Sequence, residues 1–237
     1  MCDVKKHLDW VPLSAALLVT GAMALAAGAL LLPSGSSATE TVRVVQHQDA
    51  RWLVVASIYF VASVALTLGL PSVLYLLDGR GRVLGAISGI VLSVGFIGTA
   101  GYAMLMVFFR ALVKAGLIHG GGLQEVTHEG GLEVFLYGWI AAFYLGELLL
   151  AFALFRARST PRWVPTVLLL HVLTLPLSSL LPGPVSRATI LLMSTGFAGI
   201  AITAVNRSTH RPGVYAGGPA SPALVHHGMQ TNRRSPR

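Results

Sequence analysis

Residues 52–77 read WLVVASIYFVASVALTLGLPSVLYLL, a run without one charged side chain. A hydrocarbon core of ~30 Å is crossed by about 20 helical residues. This stretch therefore spells a membrane-spanning helix, with enough length left over to tilt. Working outward, comparable runs lie at 13–32, 83–109, 131–155, 163–181 and 188–205. The expected fold is all-α, a polytopic transmembrane bundle of six spans. The last two spans are short and joined by Pro182-Gly183-Pro184, which reads as a tight hairpin.

Composition agrees with that reading. Of 237 residues, 54% are hydrophobic and 11% charged, against roughly 45–50% and 25% in soluble domains. An ordinary soluble protein is excluded. With 26 Gly, 12 Pro and no repeat, so are a coiled coil, a collagen-like chain and a wholly disordered one. Cys2 is the single cysteine, which leaves no intramolecular disulfide and no cysteine metal cluster.

The net charge of +8 is distributed by side. Lys5, Lys6, Arg80, Arg82, Arg156, Arg158, Arg162, Arg207, Arg211, Arg233, Arg234 and Arg237 fall on one side of the six spans. Arg43, Arg51, Arg110, Lys114 and Arg187 fall on the other. By the positive-inside rule both termini are cytoplasmic. The positive excess is thus a topology signal with a secondary attraction to anionic lipid headgroups, and nucleic acid is not an expected partner. Residues 1–12 form the cytoplasmic N-terminus and 13–205 the six-helix transmembrane domain. Residues 206–237 form a disordered basic tail, rich in Pro, Gly, Ser, Arg and His with little to bury. The first span is read as retained, because its run of about 20 residues exceeds the ~7–15 of a signal-peptide core. Asn206-Arg207-Ser208 matches a glycosylation acceptor but lies on the cytoplasmic side.

Within the third span Gly85 and Gly89 form a G-x-x-x-G, continued by Ser93, Gly95, Gly98 and Gly101. Such a face lets helix backbones approach closely. Packing inside the bundle is the expectation; a membrane-protein partner or a second copy of the chain is the alternative. Pro71 and Pro176 are expected to kink their helices, the latter freeing the carbonyl of Val172 beside His171.

Residues 138–164 contain an apolar helix ending in Arg156-Ala157-Arg158 and followed by Pro161-Arg162-Trp163. The stretch resembles bacterial multi-pass membrane proteins of the domain-of-unknown-function kind, of the GC-rich actinobacterial type. The resemblance implies a bacterial inner-membrane location and carries over no catalytic residue. Glu147 departs from it, standing where an apolar residue is expected.

No phosphate-binding loop, zinc-protease or serine-hydrolase signature occurs. His171 has no second membrane-depth histidine with which to ligate haem, and no cofactor is expected. The absence of a catalytic signature favours a non-enzymatic accessory or scaffold component, or a small permease. The alternative is a proton-coupled carrier or membrane-embedded enzyme built on Glu147 and His171. Each of these two lies eight residues from the cytoplasmic end of its span, about 12 Å deep at 1.5 Å per residue. The short connector makes the spans antiparallel neighbours, so both side chains sit at one level. A lone carboxylate there costs at least ~2.5–3.5 kcal/mol; hence Glu147 is expected to be protonated, paired or facing water. On the outer side Glu125, His128, Glu129 and Glu133 would share a helical face suited to a divalent metal. Gly130-Gly131 interrupts that helix, and a solvated loop is the expectation.

Overall fold

The computed structural model describes residues 10–33, 35, 37–77, 79, 81–118, 129–177 and 183–210. Among them the chain is helical and contains no strand: α1 (Trp10–Leu31), α2 (Ala38–His47), α3 (Asp49–Leu76), α4 (Arg82–Lys114), α5 (Gly130–Ala157), α6 (Trp163–Leu177), α7 (Gly183–Ala188) and α8 (Ile190–His210). Five of these, α1, α3, α4, α5 and α8, are long and apolar enough to cross a membrane.

Neighbouring helices run antiparallel. Gly21 of α1 lies against Leu66 of α3 while Gly28 lies against Tyr59, so one number rises as the other falls. The Trp52 indole of α3 donates to the Met106 carbonyl of α4 at 3.0 Å, and Ser63 donates to the Phe96 carbonyl. Between α4 and α5, Leu92 meets Gly146 and Gly98 meets Trp139; between α6 and α8, Leu168 meets Gly196 and Val164 meets Gly199. The last helix returns to the first, where the Ser194 hydroxyl donates to the Ala22 carbonyl at 3.0 Å. Contacts run α1–α3–α4–α5–α6–α8 and back to α1, a closed ring of six helices.

That alternation sorts the charges. Arg82 at the start of α4, Arg156 and Arg158 at the end of α5, Arg162 before α6 and Arg207 in α8 gather at one end of the ring, called here the basic end. At the opposite end Asp49 pairs with Arg110 and, at 3.2 Å, with Lys114.

Several element limits differ from the sequence expectation. The fifth span is expected over 163–181; α6 is described over Trp163–Leu177, and residues 178–181 lie outside the described residues. The sixth runs to His210 rather than 205, so residues 206–210, expected in the tail, continue the helix. Backbone-seeking side chains there stay inside the helical ladder: His210 Nδ1 lies 2.7 Å from the Asn206 carbonyl and Ser208 donates to the Val205 carbonyl at 2.9 Å. The remaining tail, 211–237, lies outside the described residues, as does the N-terminal segment 1–9. α2 was not expected at all. Ser37 caps it by accepting the Glu40 N–H at 3.2 Å, a Ser-x-x-Glu start, and the helix buries Val42 and Val45.

The small-residue face of α4 is used within the ring. A Cβ on Gly95 would lie 2.7 Å from Phe143 Cα, and one on Gly98 2.3 Å from Trp139 Cβ. Gly85 and Gly89 face Leu77 and Leu74 at the end of α3, and Gly101 faces the Phe135 ring. At Pro71 the ladder of α3 opens and Ser14 of α1 enters it. The Ser14 hydroxyl accepts the Ser72 N–H at 2.9 Å and donates to the Gly69 carbonyl at 2.9 Å.

Candidate functional site

Glu147 faces inward because α5 presents Phe143, Gly146, Glu147, Leu150 and Leu154 as one buried helical stripe. On α6 the buried stripe is Val164, Leu168 and His171. Where the two stripes meet, Glu147 Oε2 lies 2.7 Å from His171 Nδ1. Both side chains are closed to solvent, at 0% and 1% exposure. The backbone carbonyl of His171 accepts from the Thr174 hydroxyl at 2.6 Å. The imidazole stacks on Tyr144, one turn before Glu147, with ring centroids 5.3 Å apart and planes inclined by 22°. The second carboxyl oxygen, Oε1, is buried without a hydrogen-bond partner among the described residues.

Toward the end of the ring opposite the basic one, a cavity of about 340 Å³ opens on the axis. Every helix of the ring contributes to its wall: Ala29 of α1, Tyr59 of α3, Tyr102 of α4, Trp139 and Tyr144 of α5, Leu175 of α6 and Ile190 of α8. The lining is predominantly apolar and aromatic, the character of small-molecule sites. Tyr59 packs on Tyr102, and Tyr102 on Trp139, at centroid distances of 6.0 and 5.9 Å. The indole nitrogen of Trp139 is buried without an acceptor among the described residues. Deeper in the ring, Phe96 meets Phe143 and Phe197 edge-on at 5.8 and 6.5 Å and closes the axis.

Cavity and acid–base pair are adjacent but separate. Neither Glu147 nor His171 lines the cavity; Tyr144 does, and its ring also stacks on that of His171. The pair sits one turn toward the basic end, since Glu147 follows Tyr144 by three residues and His171 precedes Leu175 by four. With one added proton, as carboxyl and imidazole or as carboxylate and imidazolium, the pair is neutral overall. Without it, a net negative charge is left in an apolar shell, the costly condition in a membrane interior.

Of the outer-side cluster, Glu125 and His128 lie outside the described residues. Glu129 is extended and caps α5, its carboxylate accepting the Leu132 N–H at 2.8 Å. That hydrogen bond, with a second from the Gly131 N–H, holds its carboxyl below the usual range. Glu133 is exposed in the first turn. The helix begins at Gly130, so no helix through Glu129 aligns these side chains on one face. Among the described residues no group of three His, Cys, Asp or Glu side chains is placed to hold a metal.

The tyrosines and Trp139 around the cavity escaped sequence reading. They lie on three helices in unrelated local contexts, and only the closure of the ring brings them together. No family model matches the chain, and neither a curated protein nor a solved structure matches it.

Proposed function

We propose that this is a six-crossing protein of a bacterial inner membrane, with both termini cytoplasmic and α6 as one of the crossings. In its axial cavity it binds a small, mainly apolar molecule, and it couples that binding to a proton held by Glu147 and His171. The orientation rests on the arginines of the basic end. The observation that carries the coupling is the buried pair with its unsatisfied oxygen. A buried polar group left partly unsatisfied is worse for stability than an apolar substitute. Its presence therefore signals use rather than packing, as intramembrane ionisable residues do by default. Tyr144 supplies the link, because it lines the cavity and its ring stacks on the imidazole.

The test is infrared spectroscopy of the full chain in lipid nanodiscs across pH 5 to 9. A carboxyl C=O band that changes with pH in the wild type and is absent in Glu147→Gln supports a proton-exchanging pair. A spectrum identical in the two proteins means that Glu147 does not titrate, and the coupling is wrong. The cavity is tested separately by solvent extraction of protein purified in native nanodiscs, followed by mass spectrometry. An apolar small molecule present with the wild type and lost with Ala29→Trp, which fills the cavity, is the expected result.

Closure of the axis at Phe96, Phe143 and Phe197 favours a second reading: a binding protein that moves nothing across the membrane. The two part in proteoliposomes with an imposed pH gradient. A proton-coupled carrier collapses the gradient when its occupant is supplied, whereas the binding protein leaves it standing.

A further inference from the structure

We propose that the corner joining α5 to α6 is a binding site for the phosphate group of an anionic phospholipid, independent of the axial cavity. A cavity of about 420 Å³ lies there, bordered by Leu154, Phe155, Arg158, Thr160, Arg162 and Pro165. Arg158 and Arg162 are exposed, and among the described residues neither pairs with an acid. They differ in this from Arg110 and Lys114 at the opposite end, which both engage Asp49. Two unpaired guanidinium groups on one cavity call for an anion, and their planar forks match phosphate oxygens.

Two further observations agree. The hydroxyls of Ser159 and Thr160 are both buried and have no partner among the described residues, and Ser159 is only 8% exposed. Thr160 borders the cavity and brings it an unspent donor, while Ser159 lies between Arg158 and Thr160 in the chain without lining it. The cavity also lies at the N-terminus of α6, which has no acid in its first turn; a helix start adds partial positive charge. The other part of the wall is apolar, formed by Leu154, Phe155 and Pro165, and Phe155 is 37% exposed. A wall that is cationic on one side and apolar on the other suits a lipid, with its phosphate among the arginines and its glycerol and acyl chain along Phe155. Free phosphate would leave the apolar half unused.

Arg158 also supplies an unusually clean variant. It ends α5 with φ 50°, in the left-handed region that glycine occupies without strain. Arg158→Gly removes the guanidinium while easing the backbone. The experiment is native mass spectrometry and thermal unfolding of the full chain in nanodiscs of phosphatidylcholine with and without phosphatidylglycerol. The wild type should retain phosphatidylglycerol preferentially and melt higher in its presence. Arg158→Gly and Arg162→Gln should each weaken that preference about five-fold, and together about thirty-fold. Arg82→Gln, an equal loss of charge at the same end, should leave it unchanged. If Arg82→Gln weakens it as much as the corner variants, the attraction is diffuse and the site does not exist. If inorganic phosphate raises the melting temperature in pure phosphatidylcholine with no preference for phosphatidylglycerol, the occupant is free phosphate and the lipid assignment fails.

Discussion

Glu147 and His171 each have one strong partner, and it is the other. Removing His171 alone strands a carboxyl in an apolar shell, whereas replacing both with leucine removes the demand together with its supply. Breaking a buried pair from one side costs about 3–5 kcal/mol, while exchanging the whole pair for apolar residues is often neutral. His171→Leu should therefore unfold at lower temperature than the double variant Glu147→Leu/His171→Leu, as measured by detergent thermal melts; equal losses would mean that the two residues act independently. Ser14 is the other residue whose loss should be felt out of proportion to its size, since it bridges the ladder gap at Pro71. Ser14→Ala should destabilise by about 1 kcal/mol, and an unchanged melt would show that water takes its place. The shared depth of Glu147 and His171 was legible, because counting residues back from a short connector fixes level. Their facing direction was not, because hydrophobic residues surround both helices and no polar face marks which side turns inward. Ser14 was not legible at all: its role depends on the depth at which Pro71 arrives from another helix.

At the scale of the element, long uncharged runs announced the spans, and their ends were set by chemistry that hydropathy does not weigh. α8 continues to His210 on the strength of hydroxyl and imidazole bonds to its own carbonyls. α2 is too short and too polar to register as a crossing, although Ser37 and Glu40 carried the local mark of its start. The α5 start shows the same capping chemistry with a titrating group. Because hydrogen bonds hold the Glu129 carboxyl below its ordinary value near 4.5, its contribution is complete above that value and is lost as pH falls through the lower, folded one. Hydrogen exchange at the Leu132 amide, corrected for intrinsic rate, should lose protection in acid and should already be faster at neutral pH in Glu129→Gln. Protection that does not depend on pH would show that the cap contributes nothing. On α4 the glycines differ sharply in the room they have. A Cβ at Gly98 meets Trp139 at 2.3 Å, whereas one at Gly101 meets Phe135 at an ordinary 3.6 Å. Gly98→Ala should destabilise by about 1–3 kcal/mol, and Gly101→Ala should be neutral or stabilising by up to about 1 kcal/mol.

For the whole molecule, the alternation of six helices puts the start of α1 and the end of α8 at the same end. Reporter fusions at the two termini should therefore both report cytoplasm. A C-terminus on the far side would mean that α6 turns back without crossing, leaving the five long helices as the only spans. Ring order was beyond the reach of sequence, since every span is apolar on all sides and nothing in the pattern says which neighbours it will choose. The ring is closed by its two most distant members, Ser194 reaching Ala22 across 172 residues of chain. During synthesis this makes assembly an open-ended affair until the final helix leaves the ribosome. Helices α1 through α6 can form a crescent, but the flanks of α1 and α6 remain without their neighbour. The Glu147 carboxyl waits only for α6, which follows within a few residues. A chain stopped before α8 would thus carry a completed acid–base pair inside an unfinished ring, its exposed flanks open to the membrane proteases that remove orphaned helices.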